Sequence, residues 1–167
     1  MKYERFEDVP VWQAGTELSV RIFELTEDKV FRFKGDIANQ IQRAGLSVPN
    51  NIAEGFERGT TEELITFLYY ARGSVGEVRS ILCVCERMKA FAHLKSEISD
   101  LKSSAESISR QLRAWADSLQ NTEIRGQRYL SDKSRSAYEQ KKSTQEFVQK
   151  LKMMNEKAVR KRPEGPK

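Results

Sequence analysis

The sequence predicts an all-α protein: an up-down antiparallel four-helix bundle with a basic, partly helical or disordered C-terminal tail. Apolar residues recur in alternating steps of four and three over long stretches, the spacing of packed helices. Glycine, proline and threonine separate those stretches. Lysine and arginine outnumber acidic residues only after residue 120. We therefore divide the 167 residues into a four-helix bundle at 1–120 and a basic extension at 121–167.

The first helix is expected to begin after Asp8, a candidate N-cap, with Pro10 in its first turn. Residues 29–35 are expected to form a loop that folds Phe31 and Phe33 back onto the bundle. The apolar seam of this helix consists of Val11, Gly15, Leu18, Ile22 and Leu25.

The second helix, from about Asp36 to Phe56, has two different stripes. Pro49 removes one backbone hydrogen bond and predicts a kink. Gly59 and Thr60 predict the end of this helix and the cap of the next. The apolar stripe contains Ile37, Ile41, Ala44, Val48 and Ile52. Beside it, at the same spacing, lies a polar stripe of Gln40, Arg43, Ser47, Asn51, Glu54 and Arg58. This helix therefore has to pack and also to hydrogen-bond.

The third and fourth helices have seams that alternate steps of four and three without a slip. This spacing of 3.5 residues predicts long helices that cross at roughly 20°. Residues 64–71 are apolar nearly all round the helix, so the tail or a second subunit should cover them, and we favour a subunit. The seams are Leu64, Leu68, Ala71, Val75, Val78, Leu82 and Cys85, and then Leu94, Ile98, Leu101, Ala105, Ile108, Leu112, Trp115 and Leu119.

The basic character of the chain belongs to its tail. Residues 1–120 have 16 Lys+Arg against 18 Asp+Glu, whereas residues 121–167 have 13 against 6, a net charge of +7. A marginal helix is expected from Tyr138 to Arg160 and disorder from Lys157 to Lys167. Cationic side chains there could bind phosphates, although a solvated extension is an equal alternative. The candidates are Lys141, Lys142, Lys150, Lys152, Lys157, Arg160, Lys161 and Arg162.

Several function classes find no support. No apolar run approaches the ~18 residues of a membrane span, and the N-terminus has no signal-peptide core, so we expect a cytoplasmic protein without membrane contact. Cys83 and Cys85 point to opposite sides of a helix and are expected to stay reduced. His93, the one histidine, is expected in a solvent-facing turn. We therefore expect no catalytic residues, no metal and no cofactor.

Several blocks of the chain, in order and spacing over about residues 6–120, resemble a bacterial family of four-helix bundles named for intervening sequences in 23S ribosomal RNA. They are Phe6-Glu7-Asp8, Val11-Trp12-Gln13, Gln40-Ile41-Gln42-Arg43-Ala44, Ser47, Asn51-Ile52-Ala53-Glu54-Gly55, Arg58, Phe67-Leu68, Ala71, Gly73-Ser74 and Glu77.

The resemblance implies a bundle that assembles into a pentameric ring and is suspected of binding nucleic acid. The family is similar to the accessory variability proteins of diversity-generating retroelements, which work beside a reverse transcriptase and its template RNA. The tail from about residue 121 departs from the family pattern, so the resemblance implies nothing about it.

The polar stripe has two interpretations, a ligand or RNA site and an interhelical polar network or subunit interface; we favour the second. Its residues are Arg43, Ser47, Asn51, Glu54 and Arg58, with Ser74 and Glu77. The function we expect is a non-catalytic homo-oligomeric accessory factor that binds RNA or DNA through multivalent basic surfaces. The alternative is an adaptor that docks a protein such as a reverse transcriptase without contacting nucleic acid.

Overall fold

The computed structural model describes residues 3–121, 126, 136, 140–150 and 153, and for Phe33 only the backbone. Within these residues every regular element is a helix, which confirms the all-α class. Contacts between Cα atoms divide the chain into two compact units, Met1–Arg128 and Tyr129–Lys167. The predicted boundary after residue 120 stays a prediction, and the predicted disorder of residues 157–167 lies outside the described residues.

The long helices are α1 (Pro10–Thr26), α2 (Gly35–Arg58), α3 (Thr61–Arg87) and α4 (Lys95–Gln120).

The core lies where the four apolar seams meet. Helices α1 and α3 each pack against both α2 and α4. The predicted seams are buried, except that five residues near the helix ends are half-buried: Ile37, Leu64, Leu94, Trp115 and Leu119. Each buried leucine or isoleucine contributes about 1.5–3 kcal/mol, so the seams are the main source of stability. The fully buried large side chains include Leu18, Ile22, Ile41, Ile52, Leu68, Leu82, Ile98, Leu101, Ile108 and Leu112.

The start of α1 differs from the prediction. Asp8 is the last residue of a short 3-10 helix, Phe6–Asp8, and Val9 occupies the N-cap position without a side-chain hydrogen bond. Val9 is only 2% exposed, and the Phe6 ring packs edge-on against Trp12 at 5.2 Å. Burial of these apolar side chains therefore places the helix start one residue later than a capping aspartate would.

The segment before α2 is a 3-10 helix, Lys29–Phe33, where we expected a loop. Its N-cap is Asp28, whose side chain accepts a hydrogen bond from the Val30 amide at 2.8 Å. Phe31 is buried as predicted and packs edge-on against Phe91, which lies in another 3-10 helix, Lys89–Leu94, before α4. The prediction for the Phe33 side chain lies outside the described part of the structure.

The turn between α2 and α3 follows the prediction. Gly59 ends α2 in the left-handed conformation (φ 79°), which favours glycine. Thr60 caps α3 by accepting a hydrogen bond from the Glu63 amide at 3.3 Å. One turn before, the two helices approach closely: a Cβ at Gly55 would lie 2.6 Å from the Cβ of Phe67. Only glycine allows this contact without a shift of α3.

Pro49 lies inside α2, which continues past it without a break. Because proline has no amide N–H, the carbonyl of Gly45 loses its helical donor. Ser19 on α1 replaces that donor: its Oγ lies 2.8 Å from Gly45 O and also 2.8 Å from Gly15 O. The hydroxyl has a single proton and donates to one carbonyl at a time. Ser19 is 4% exposed, so water has little access to this site. The predicted kink stays a prediction.

Replacing Ser19 should therefore destabilise the folded protein. Ser19→Ala leaves the Gly45 carbonyl without a side-chain donor in a buried site and should lower the free energy of unfolding by about 1–3 kcal/mol. Adding Pro49→Ala should recover part of that loss, because alanine at this position supplies the missing amide N–H. Urea unfolding of the wild type, the two single variants and the double variant measures the coupling. Strictly additive effects would contradict this account.

Candidate functional site

The middle of the polar stripe on α2 forms a small hydrogen-bonded group with α3. Asn51 Nδ2 donates to the Ser47 carbonyl oxygen at 2.7 Å and lies 2.9 Å from Ser47 Oγ. Ser74 Oγ on α3 lies 2.9 Å from the same Ser47 Oγ and 3.1 Å from the Tyr70 carbonyl oxygen. Ser47 is thus the shared partner that joins the two helices. The structure brings together three of the seven predicted residues here.

A second group lies at the end of α2. Arg58 forms an i,i+4 ion pair with Glu54 at 2.7 Å, and its second terminal nitrogen lies 3.7 Å from Glu63 Oε1 on α3. Its guanidinium also lies over the Phe67 ring, 5.1 Å from the centroid. The hydrogen bond to Glu54 raises the pKa of Arg58 above its usual value. These side chains are exposed or half-buried, so the ion pairs alone contribute little stability.

Glu63 and Phe67 were missed as partners of Arg58 by the sequence analysis. A usable signal existed for Glu63, because threonine followed three residues later by glutamate is the capping-box pattern. The Thr60 hydroxyl donates to Glu63 Oε2 at 2.6 Å, and this hydrogen bond holds the carboxylate close to the end of α2. No local pattern identifies Phe67, since its contact depends on how α2 and α3 pack.

Arg43 and Glu77 belong to neither group. Both are exposed, and within the described part of the chain neither has a hydrogen-bond or ion-pair partner. Arg43 lines a shallow groove between α1 and α2 with Phe23 and Leu46. These two apolar side chains are 42% and 47% exposed. The outer side of α2 therefore combines unpartnered apolar area with a cation, a combination that is typical of protein interfaces.

The apolar segment at the start of α3 is only partly buried in the single chain. Leu68 and Ala71 belong to the core, whereas Tyr69 and Tyr70 are 41% and 56% exposed. The Tyr70 ring packs edge-on against Phe67 at 5.5 Å. The structure thus leaves aromatic area exposed beside the Ser47 group, and no described residue covers it.

The histidine and the two cysteines lie outside these groups. His93 Nε2, in an exposed side chain, lies 3.2 Å from Asp28 Oδ2, and the Val30 amide, together with His93, lowers the pKa of Asp28. Cys83 is half-buried, while Cys85 is buried and its thiol pKa is raised by that burial. Among the residues that the structure describes, no cluster of histidine, cysteine, aspartate or glutamate could hold a metal ion, and no helix is long and apolar enough to span a membrane.

The predicted phosphate-binding residues are described only in part. Residues 140–150 are helical and all exposed. They carry Lys141, Lys142 and Lys150, none of which pairs with an acidic group in the described part of the chain. Phe147 on the same helix is 63% exposed. The other predicted residues lie outside the described part of the structure: Lys152, Lys157, Arg160, Lys161 and Arg162.

Comparisons with known proteins identify a matching family profile and solved structures of similar fold, of which one is described here. The family profile described as 23S rRNA-intervening sequence protein matches residues 7–114. A crystal structure of a protein of unknown function, from the S23 ribosomal protein family of Bacteroides thetaiotaomicron VPI-5482, is similar with a TM-score of 0.56. It is 21% identical in sequence, and the alignment covers 64% of this chain and 97% of that one. At that identity the likeness concerns the fold alone. None of the curated proteins matches this chain significantly.

The Ser47 group yields a direct test. Ser47→Ala removes the hydroxyl shared by Asn51 and Ser74 and should lower the free energy of unfolding by about 1 kcal/mol. Ser80→Ala, at an exposed position of α3, is the matched control and should change it little. Urea unfolding measures both variants. Equal effects of the two substitutions would show that the hydrogen bonds at Ser47 do not join the helices energetically.

Proposed function

This chain belongs to the 23S rRNA-intervening sequence protein family, and we propose that it is a non-catalytic, homo-oligomeric accessory factor that binds RNA or DNA through its basic tail. The proposal depends on one observation: Lys141, Lys142 and Lys150 are exposed on a helix and have no acidic partner among the described residues. Such cations bind phosphates by releasing condensed counterions, which needs no particular base sequence. We place this activity in the cytoplasm.

We further propose that the long helices form an up-down antiparallel bundle. In such a bundle, residue numbers on neighbouring helices run in opposite directions across each contact. Contacts between helices support that order for three neighbouring pairs. Between α1 and α2 the contacts are Ser19 with Gly45 and Thr26 with Gln42. Between α2 and α3 they are Ser47 with Ser74 and Gly55 with Phe67. Between α3 and α4 they are Arg72 with Ser109 and Glu86 with Lys102.

Self-association is the second part of the proposal. Phe23, Leu46, Tyr69 and Tyr70 are large side chains that stay between 41% and 56% exposed in the single chain. Burying apolar area of this kind between copies is the usual driving force for assembly. The family resemblance makes a pentameric ring the specific form that we propose. In a ring, each copy would add its own tail to a shared basic field, so that weak contacts combine through avidity.

Salt dependence tests the nucleic-acid contact. The logarithm of the affinity for a mixed-sequence RNA oligonucleotide should fall linearly with the logarithm of salt concentration, with a slope of roughly 0.7–0.9 per phosphate contact. Replacing Lys141, Lys142 and Lys150 by glutamine should weaken binding and reduce that slope by about two or three per chain. Fluorescence anisotropy at several salt concentrations gives both quantities.

The matched control replaces by glutamine three exposed lysines that lie outside the tail: Lys29, Lys89 and Lys95. This variant has the same change in net charge and should keep the wild-type slope. A wild-type affinity that does not respond to salt would contradict the proposal. Equal losses of RNA affinity in the two variants would contradict a special role of the tail lysines.

Arg43 tests the assembly surface. Because it is exposed beside Phe23 and Leu46 and has no described partner, Arg43→Ala should weaken self-association and leave the unfolding free energy of the single chain nearly unchanged. Arg32→Ala, at another exposed arginine, is the control. Sedimentation velocity over a range of concentrations measures the association. An unchanged distribution for Arg43→Ala would remove this residue from the interface.

A second candidate function is supported by the exposed aromatic area of Tyr69 and Tyr70, which suits a protein partner better than phosphates. The chain would then be an adaptor, for example one that docks a reverse transcriptase of a diversity-generating retroelement, with no direct contact to nucleic acid. A variant that ends at Gln120 distinguishes the two functions. As a nucleic-acid-binding protein it should lose most of its RNA affinity on truncation. As an adaptor it should retain its protein partner, and neither form should bind RNA.

A further inference from the structure

One side of α3 is exposed from the first turn of the helix to the last. Helix α3 packs against α2 and α4 with its other sides. On the exposed side, Tyr69 and Val84 are 41% and 51% exposed, so apolar area stays in contact with solvent. We call this side the outer face of α3. Its residues lie within an arc of roughly 80° at 3.6 residues per turn, and they include Glu62, Tyr69, Gly73, Gly76, Val84 and Arg87.

Two glycines in the middle of the outer face are not explained by the packing of the single chain. A Cβ at Gly45 or Gly55 would lie 2.8 Å or 2.6 Å from a side chain of a neighbouring helix. At Gly73 or Gly76, by contrast, a Cβ would meet no atom of another described element within 4 Å. Glycine weakens a helix relative to alanine, and its missing side chain lets a second backbone approach closely. The two glycines therefore favour a closely packed helix that the described residues of the chain do not provide.

The charges at the two ends of the outer face identify that helix. Glu62 lies in the first turn of α3 and Arg87 in the last. Among the described residues neither forms an ion pair, and Arg87 donates to the Cys83 carbonyl of its own helix at 2.8 Å. At 1.5 Å per residue, Glu62 and Arg87 are roughly 37 Å apart along the helix, so they do not meet within one copy. A second α3 that runs in the opposite direction would place a carboxylate against a guanidinium at both ends.

The glycines and the charges agree on one register. The point halfway between Glu62 and Arg87 is also halfway between Gly73 and Gly76, so one two-fold axis at that point relates both pairs. When Glu62 of one copy faces Arg87 of the other, Gly73 faces Gly76, and the backbones can approach where side chains are missing. A charge requirement and a steric one, which involve different residues, therefore select the same antiparallel arrangement of two copies.

We propose that the outer face of α3 pairs with the same face of a second copy about a two-fold axis, antiparallel, with Glu62 against Arg87 at both ends and Gly73 against Gly76 in the middle. The exposed ring of Tyr69 is then covered by the second copy, which adds apolar burial to the ion pairs.

This contact goes beyond the proposed function, because it needs neither nucleic acid nor a ring. A two-fold contact pairs copies and does not close five of them into a ring, so it would link copies of different rings. One helix face buries less than the roughly 1,200–2,000 Å² of a stable interface. The pairing should therefore be weak and should increase with protein concentration.

Disulfide formation between single-cysteine variants tests the arrangement in the full-length protein. All variants carry Cys83→Ser and Cys85→Ala, so that each has one cysteine. One variant has Thr66→Cys and the other Val84→Cys, at two exposed positions of the outer face. In the proposed register, residue 66 of one copy lies beside residue 84 of the other. Two residues 66, or two residues 84, would instead be separated by more than about 25 Å.

Mixing and oxidising the two variants should therefore give a disulfide between residues 66 and 84, whereas each variant alone should stay reduced. The yield should rise as the protein concentration increases from about 10 to about 500 µM, because the expected affinity is weak. Ser103→Cys, at an exposed position of α4, replaces Val84→Cys as the matched control and should give no link. Links between two residues 66, a control yield equal to that of the pair, or no link at the highest concentration would overturn the proposal.

Charge reversal provides an independent arm. In the mixture, Glu62→Arg or Arg87→Glu in every copy should lower the disulfide yield about tenfold, because like charges then meet at both ends. The two substitutions together should restore the yield, since opposite charges meet again between copies. Arg32→Glu, at an exposed arginine outside α3, should leave the yield unchanged. A doubly substituted protein that links as poorly as the single variants would overturn the proposal.

Urea unfolding separates this effect from a change in the helix itself. Each reversal places an unfavourable charge at one end of α3, so the two losses of stability should add. Restored linking in spite of added losses is therefore specific to the contact between copies. A solution mass of several chains without the link between residues 66 and 84 would overturn the α3 pair and leave the proposed self-association standing.

Discussion

The contact of α1 with α2 around Pro49 is the constraint on which the rest of the arrangement depends. Proline frees the Gly45 carbonyl, and the nearest replacement donor is Ser19 of α1, at 2.8 Å. The backbones have to be close for a serine to reach: a Cβ at Gly45 would lie 2.8 Å from Ile22 Cδ1. A polar requirement and a steric one therefore select the same register between these helices.

That register decides which side of α2 is left for other partners. With Val48 and Ile52 in the core, the polar stripe lies on the side toward α3 and solvent. On the side toward α3, Ser47 contacts Ser74. Leu46 and Arg43 instead remain exposed in the groove with α1, beside Phe23. The hydrogen bonds between helices and the exposed apolar groove thus result from one rotation of α2. A substitution that turned this helix would change both surfaces at once.

Most of the fold could be predicted because burial follows the spacing of apolar residues, and most residues of the four seams are indeed buried. Contacts between distant residues could not be predicted in the same way. In the sequence, nothing distinguishes Ser19 from the other polar residues of α1, because its partner lies on α2. Asp8 fits the local rule for a helix cap, but burial of Val9 moves the start of α1. The polar stripe likewise separated into the Ser47 and Arg58 groups according to which residues of α3 lie opposite.

Association of several copies through the exposed surfaces of α1, α2 and α3 is tested most directly by the mass of the full-length protein in solution. Light scattering on protein freed of nucleic acid, at micromolar concentration, gives that mass without assumptions about shape. We predict an assembly of several chains, five if a ring forms. A mass equal to one chain would contradict self-association, and with it the combination of weak tail contacts into useful affinity.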